Sequence, residues 1–182
     1  DEQVAIVGGG GIAQELVKLL APFRARVTVV RKRPDQDFDG HGIARVTGFE
    51  QLDQVLAKSK FVFLACALTA ETRFLFDATR FQQMMPHSYL INVARGEVVN
   101  QQDLLRALDS GLLAGAATDV TYPEPLPEGH PMWGRDDLII TPHTADTKPI
   151  VTRLFALRLR ENVSAWLNKQ PLTGVVDPKL GY

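Results

Sequence analysis

Val4-Ala5-Ile6-Val7-Gly8-Gly9-Gly10-Gly11-Ile12-Ala13 is the stretch from which the fold can be read. Four apolar residues, Val4 to Val7, run straight into a cluster of glycines. Ile12, Leu16, Leu19 and Leu20 follow at helical spacing. The pattern is strand, tight turn, helix. Its small residues fall as G-x-G-x-x-A, with Gly8, Gly10 and Ala13 at the key places. Gly8 allows the turn, Gly10 lets the backbone approach a pyrophosphate, and Ala13 lets the helix pack close to the strand. The helix N-terminus, beginning near Gly11 and Ile12, offers N–H groups and the positive end of its dipole to phosphate. A glycine-rich loop of no special function is the competing reading. The strand before it and the helix after it speak against that.

Working outward, apolar runs alternate with helical patterns almost to the end. Val27-Thr28-Val29-Val30, Phe61-Val62-Phe63-Leu64, Tyr89-Leu90-Ile91-Asn92-Val93, residues 114–120 and Leu138-Ile139-Ile140 read as strands, with a short one near Ala44-Arg45-Val46. Residues 49–57, 77–85 and 101–110 read as helices, with Asp77 a candidate N-cap and Gly111 a stop. A long helical pattern runs from Thr147 to about Leu167. Continuous apolar strands between helices predict an α/β fold: a doubly wound parallel sheet covered on both faces, of the Rossmann dinucleotide-binding type. Ligands of such sheets sit at the carboxyl ends of the strands, near the switch in strand order. The expected division is a cofactor-binding domain over 1–146, a connecting long helix over 147–168 and a C-terminal tail over 169–182 that packs on something else. The proline-rich stretch 122–131 is a long loop of the kind that is functional or disordered.

Composition narrows the class. The chain has 182 residues, 45% hydrophobic and 23% charged, as in an ordinary globular domain. A net charge of -1 gives no footprint of a nucleic-acid or acidic-lipid partner. One cysteine forms no internal disulfide, so a reducing, cytoplasmic setting is expected. No apolar run reaches the roughly 18 residues needed to span a bilayer. The four histidines show no metal-ligand spacing, with His41, His87 and His130 reading as loop or surface residues. Cys66 reads as a small pocket-lining residue, with no histidine near it in sequence.

The end of the second strand selects the cofactor. An acidic residue there, about 20 positions past the glycines, would hydrogen-bond the adenosine ribose. This chain has Arg31-Lys32-Arg33 instead. Cations suit a 2′-phosphate: arginine as a planar fork, lysine as a point charge. The expectation is NADP(H) in preference to NAD(H), against the plainer reading of a solvated basic loop.

Arg95 closes the strand that ends Asn92-Val93-Ala94-Arg95-Gly96, Glu124 lies in the proline loop, and His143 follows the last strand in Thr141-Pro142-His143-Thr144-Ala145. All three come just past strand ends. Here the sequence resembles the D-isomer-specific 2-hydroxyacid dehydrogenases. The matching segments are 7–13, Leu68-Thr69-Ala70-Glu71-Thr72, 90–100, 110–115, 119–133 and 139–145, together with the tail from Glu161-Asn162-Val163 to Val176-Asp177-Pro178. Residues 124–133 look most like the glyoxylate/hydroxypyruvate reductase branch.

The resemblance implies that Arg95 binds the carboxylate of a 2-keto acid and polarises its carbonyl, as a guanidinium can through two parallel hydrogen bonds. It implies that His143 is the general acid of reduction and the base of the reverse reaction, since imidazoles titrate near neutrality. Glu124 would orient that imidazole. For the cofactor it places Gly11 and Ile12 on the pyrophosphate, Cys66 and Ala67 beside the adenosine with Thr72 nearby, and Val93, Ala94 and Asp119 at the nicotinamide carboxamide. Four residues depart from the family pattern. Ala67 stands where proline is usual, Asn100 for a common aspartate, Asp146 for glycine or serine, and Ala13 for the third glycine.

In this family the substrate domain is discontinuous, and only its C-terminal return matches here. The expectation is a chain that binds cofactor but turns over poorly by itself. The partners implied are a small 2-keto or 2-hydroxy acid and a second copy of the chain, with neither nucleic acid nor membrane. A dinucleotide-sensing corepressor on the same scaffold is the rival from another class. Formate or phosphoglycerate would be rival substrates within the family.

Overall fold

The computed structural model describes residues 2–38, 44–145 and 147–178. His41 and Asp146 lie outside the described residues. The chain divides into two compact units, 1–142 and 143–182.

In the first unit the strands are β1 (Gln3–Val7), β2 (Arg26–Val30), β3 (Ala44–Thr47), β4 (Phe61–Leu64), β5 (Ser88–Asn92), β6 (Leu113–Thr118) and β7 (Leu138–Ile140). They form one sheet in the order β3-β2-β1-β4-β5-β6-β7, every neighbouring pair parallel. This is the expected doubly wound sheet. The chain builds outward from β1 in one direction, then returns to its other side at β4, so the switch in strand order falls between β1 and β4.

The apolar runs show why the sheet is buried on both faces. Ala5, Val7, Val62, Leu64 and Leu90 belong to one buried cluster, shared with Leu52, Leu56, Phe81, Leu104 and Leu108 of the helices. Val4, Ile6, Val27 and Val29 belong to a second, packed against Ala13 and Val17. Successive residues of β1 thus alternate between the two clusters, as the period-2 pleat requires. A strand covered on both sides has no polar face, which is why Val4 to Val7 read as an unbroken apolar run.

The helices of this unit are α1 (Gly11–Leu20), α2 (Leu52–Leu56), α3 (Ala78–Gln83) and α4 (Gln101–Asp109). Asp77 caps α3 by accepting from Arg80 N. Asn100, the departure from aspartate, caps α4 by accepting from the backbone N–H groups of Gln102 and Asp103. Several details differ from the periodicity, among them the end of β6, which closes at Thr118 rather than at 120. Residues 49–51 form a 3-10 turn ahead of α2, which is therefore only five residues long. Helix α3 stops at Gln83 because Met84 is already extended (φ -72°, ψ 152°), two residues ahead of Pro86. A further 3-10 turn, Gly96–Val98, follows β5.

The second unit carries α5 (Lys148–Leu167), with Pro149 in its first turn, matching the long helix read from the sequence. Within this unit Asn162 holds the tail by its side chain: Nδ2 donates to Thr173 O at 3.0 Å and Oδ1 accepts from Thr173 N at 3.0 Å.

Two glycines of the first turn separate folding from ligand approach. Gly8 has φ +119°, and a Cβ built on it would stand 2.4 Å from Ala65 O. Gly10 has an ordinary extended backbone, and its added Cβ would meet nothing within 4 Å. Gly8→Ala is expected to cost about 3 kcal/mol in urea unfolding and Gly10→Ala less than about 1 kcal/mol. Equal costs would contradict this reading of the turn.

Candidate functional site

The crevice forms where β1 ends between its two neighbours. Gly8 N donates to Val30 O at 2.8 Å, and Ala65 N donates to Val7 O at 2.8 Å. The glycine turn is thereby fixed to the ends of both β2 and β4. Gly9 lies beneath Arg31: a Cβ there would meet Arg31 Cδ at 2.8 Å and Nε at 2.9 Å. Gly10 and Gly11 instead face open space. Gly10 is the N-cap of α1, with no side-chain cap hydrogen bond, and the first turn of α1 holds no acidic residue. Backbone donors, a helix dipole and room for an anion coincide here. These residues fit the pyrophosphate of a dinucleotide.

The basic segment forms one wall. Arg31 Nη1 donates to Asp37 O at 3.2 Å and to Gln36 O at 3.4 Å, and the guanidinium carbon lies 5.7 Å from the centroid of the Phe38 ring. The loop 31–38 thus curls around the arginine's head while its stem covers Gly9. Lys32 reaches across to Glu71. Arg33 is exposed.

The loop after β4 forms the opposite wall. Thr72, buried, closes it: Oγ1 donates to Ala67 O at 2.6 Å and accepts from Thr69 N at 2.8 Å. Thr72 therefore acts on this loop from inside, holding Ala67 in place. Ala67 is exposed and Cys66 half-buried. Burial pushes the Cys66 thiol up from the ordinary 9.0 to about 11, with a backbone hydrogen bond opposing the shift.

A second network joins the ends of β5, β6 and β7. Asn92, buried at the end of β5, accepts from Ala94 N at 3.0 Å and donates to Arg95 O at 3.0 Å. It holds the Val93–Ala94–Arg95 turn at both ends. Arg95 is exposed, and its Nη1 donates to Ala94 O at 2.6 Å. Gly96 presses on the proline loop so closely that a Cβ would sit 2.1 Å from Thr121 O. Gln101 grips the backbone of Tyr122 with both ends of its amide, Nε2 donating to Tyr122 O at 2.6 Å and Oε1 accepting from Tyr122 N at 2.8 Å. Glu124 follows, its Oε2 accepting from Thr121 N at 3.3 Å. Asp119 N donates to Asn92 O at 3.0 Å, and Asp119 Oδ1 accepts from Thr141 Oγ1 at 2.5 Å.

The turn bearing Arg95 and the loop bearing Glu124 are thus packed and hydrogen-bonded to one another. His143 opens the second unit, with φ +51°, a backbone conformation that non-glycine residues adopt at a cost. Asn92, Gly96, Gln101 and Glu71 went unassigned by sequence reasoning. A polar residue ending an apolar strand marks Asn92, but Gln101 looks like any first residue of a helix. Among the described residues, no group of three or more His, Cys, Asp or Glu side chains could hold a metal ion. None of their helices is long and apolar enough to cross a membrane.

The family model of the D-isomer specific 2-hydroxyacid dehydrogenase, NAD binding domain, matches residues 1–145. Glyoxylate/hydroxypyruvate reductase A of Photorhabdus laumondii is 34% identical over 182 residues, covering 100% of this chain and 56% of that protein. Among solved structures, a D-isomer specific 2-hydroxyacid dehydrogenase from Xanthobacter autotrophicus in complex with NADPH and MES superposes with a TM-score of 0.89 at 34% identity, covering 100% of this chain and 73% of that one. The NADPH-dependent glyoxylate/hydroxypyruvate reductase of Sinorhizobium meliloti, in complex with NADP and sulfate, gives 0.90 at 28% identity, covering 100% and 57%. The chain spans little more than half the length of the curated relatives it matches, 59% and 56% for two of them.

The raised thiol of Cys66 gives a chemical check on the second wall. At pH 8 its alkylation by iodoacetamide is expected to run about a hundredfold slower in the folded chain than in urea. The rate should climb with pH until about 11. A plateau near pH 9 would contradict the burial described.

Proposed function

We propose what the chain does from what it is: it belongs to the D-isomer-specific 2-hydroxyacid dehydrogenase family, whose NAD-binding domain its residues 1–145 match. It is the cofactor-holding part of an NADP(H)-dependent reductase of small 2-keto acids, of the glyoxylate or hydroxypyruvate class. NAD(H) is the weaker cofactor. The observation that carries this reading is the open backbone cradle at Gly10 and Gly11, with Arg31 laid over the adjoining Gly9. One element offers donors to a pyrophosphate, and the next carries the cations that suit a 2′-phosphate. The two structures described above, bound to NADPH or NADP, support the assignment by likeness.

The bound nicotinamide supplies or takes the hydride. Arg95 pairs with the substrate carboxylate, His143 delivers a proton to the carbonyl oxygen, and Glu124 orients the imidazole. Gly8, Gly10, Gly11 and Ile12 carry the pyrophosphate, and Arg31, Lys32 and Arg33 the 2′-phosphate. Cys66 and Ala67 line the adenosine side, with Thr72 holding Ala67 in place from inside the loop, and Val93, Ala94 and Asp119 line the nicotinamide side. The Asn92 clamp and the Gln101 grip support these roles, because each fixes a backbone from which one of these side chains projects. The proposed state is a homodimer, as the resemblance implies, and the proposed setting is cytoplasmic, as a single cysteine suggests.

Calorimetric titration tests the cofactor assignment. NADPH is expected to bind at least about tenfold more tightly than NADH, and Arg31→Asp to reverse the order. Unchanged preference in the variant would remove Arg31 from the site. In a protein carrying this chain together with a substrate-binding portion, His143→Asn should slow glyoxylate reduction by about 10²–10⁴-fold while cofactor affinity holds within about twofold. Retained turnover would refute the role of His143.

A further inference from the structure

We propose that Glu71 is a specificity-determining residue for the cofactor, acting through Lys32; the inference rests on the NADP(H) assignment above. Lys32 Nζ lies 2.8 Å from Glu71 Oε1 and 2.7 Å from Oε2. The two residues are 39 positions apart in sequence. Lys32 follows the end of β2 at Val30, and Glu71 lies in the loop that follows the end of β4 at Leu64. Those strands are the two neighbours of β1, and all three run parallel, so the ion pair joins the two walls of the crevice that opens at Gly8.

Two of the three cations of the basic wall, Arg31 and Lys32, are held differently. Arg31 is held by two backbone carbonyls and the Phe38 ring, all neutral groups. Lys32 is held by a carboxylate on both of its oxygens. A 2′-phosphate approaching this wall meets the full charge of Arg31, but meets Lys32 with its charge already offset. Engaging Lys32 means drawing it from Glu71. With side-chain exposures of 46% and 68%, the pair sits in water and is cheap to open. Glu71 therefore does not block the phosphate. It lowers the return on binding one, and a ligand without the 2′-phosphate is spared that loss. Specificity is a difference of affinities, so a carboxylate that weakens only the phosphorylated cofactor narrows the gap between the two.

The test is a double-mutant cycle in the whole chain, with NADPH and NADH titrated into wild type, Glu71→Gln, Lys32→Ala and the double variant. Glu71→Gln is expected to tighten NADPH about three- to tenfold and to shift NADH less than about twofold. The gain should vanish in the Lys32→Ala background and shrink at high salt. A general loosening of the loop would move both cofactors together and would not depend on Lys32. No change in NADPH affinity, an equal change for both cofactors, or a gain that survives Lys32→Ala would each overturn the proposal while wild type still prefers NADPH. A wild type that prefers NADH and ignores Lys32→Ala would instead overturn the cofactor assignment, and this inference with it.

Discussion

A missing side chain at Gly8 is the constraint on which the rest of the structure depends. The backbone there turns at φ +119° directly against the residue that follows β4, where an added Cβ would lie 2.4 Å from Ala65 O. Only glycine combines that conformation with that approach. The tight turn lets α1 begin at Gly11, immediately beyond β1, and lets Ala13 and Val17 seal the cluster beneath it. It also sets the ends of β2 and β4 on either side of one narrow crevice. Folding and ligand approach are served by neighbouring glycines for different physical reasons. Gly8 is required by contact, whereas Gly10 and Gly11 leave open space before the N-terminus of α1.

The sheet was legible in the sequence because burial on both faces leaves a run such as Val4 to Val7 or Phe61 to Leu64 with no polar face to confuse the period. The caps were legible where a short polar side chain stands one residue ahead of an apolar-periodic segment, as Asp77 does. The 3-10 turn Gly96–Val98 was not, because its shape is imposed from outside. Thr121 presses on Gly96, and Asn92 holds the chain just before it. The early end of α3 has a local cause, in the extended Met84 ahead of Pro86, but helical periodicity alone runs past it.

The same distinction holds for the candidate site. Glycine spacing and a basic triplet are local patterns, and both fall at the edge of the crevice where β1 and β2 end. What sequence could not give is which cations are compensated. Arg31 and Lys32 are adjacent and look equivalent, yet one is cradled by carbonyls and the other paired with a carboxylate from a distant loop. Likewise, the bond between Gln101 and Tyr122 joins positions 21 residues apart with no shared periodicity. Side chains that would touch ligand announce themselves by type. Those that hold the ligand-bearing backbone emerge only from tertiary contacts.

The proposed cofactor role has the glycine turn hold the pyrophosphate, and the adjoining basic wall the 2′-phosphate, of one phosphorylated dinucleotide. Phosphorus NMR of NADP⁺ titrated with this chain tests it most directly, because the pyrophosphate and the 2′-phosphate give separate signals. Both signals are expected to shift on binding: the pyrophosphate at the N-terminus of α1, the 2′-phosphate at the wall that begins with Arg31. A pyrophosphate that shifts while the 2′-phosphate stays at its free position would contradict the phosphate role of the basic wall. Two unmoved signals would contradict the site itself.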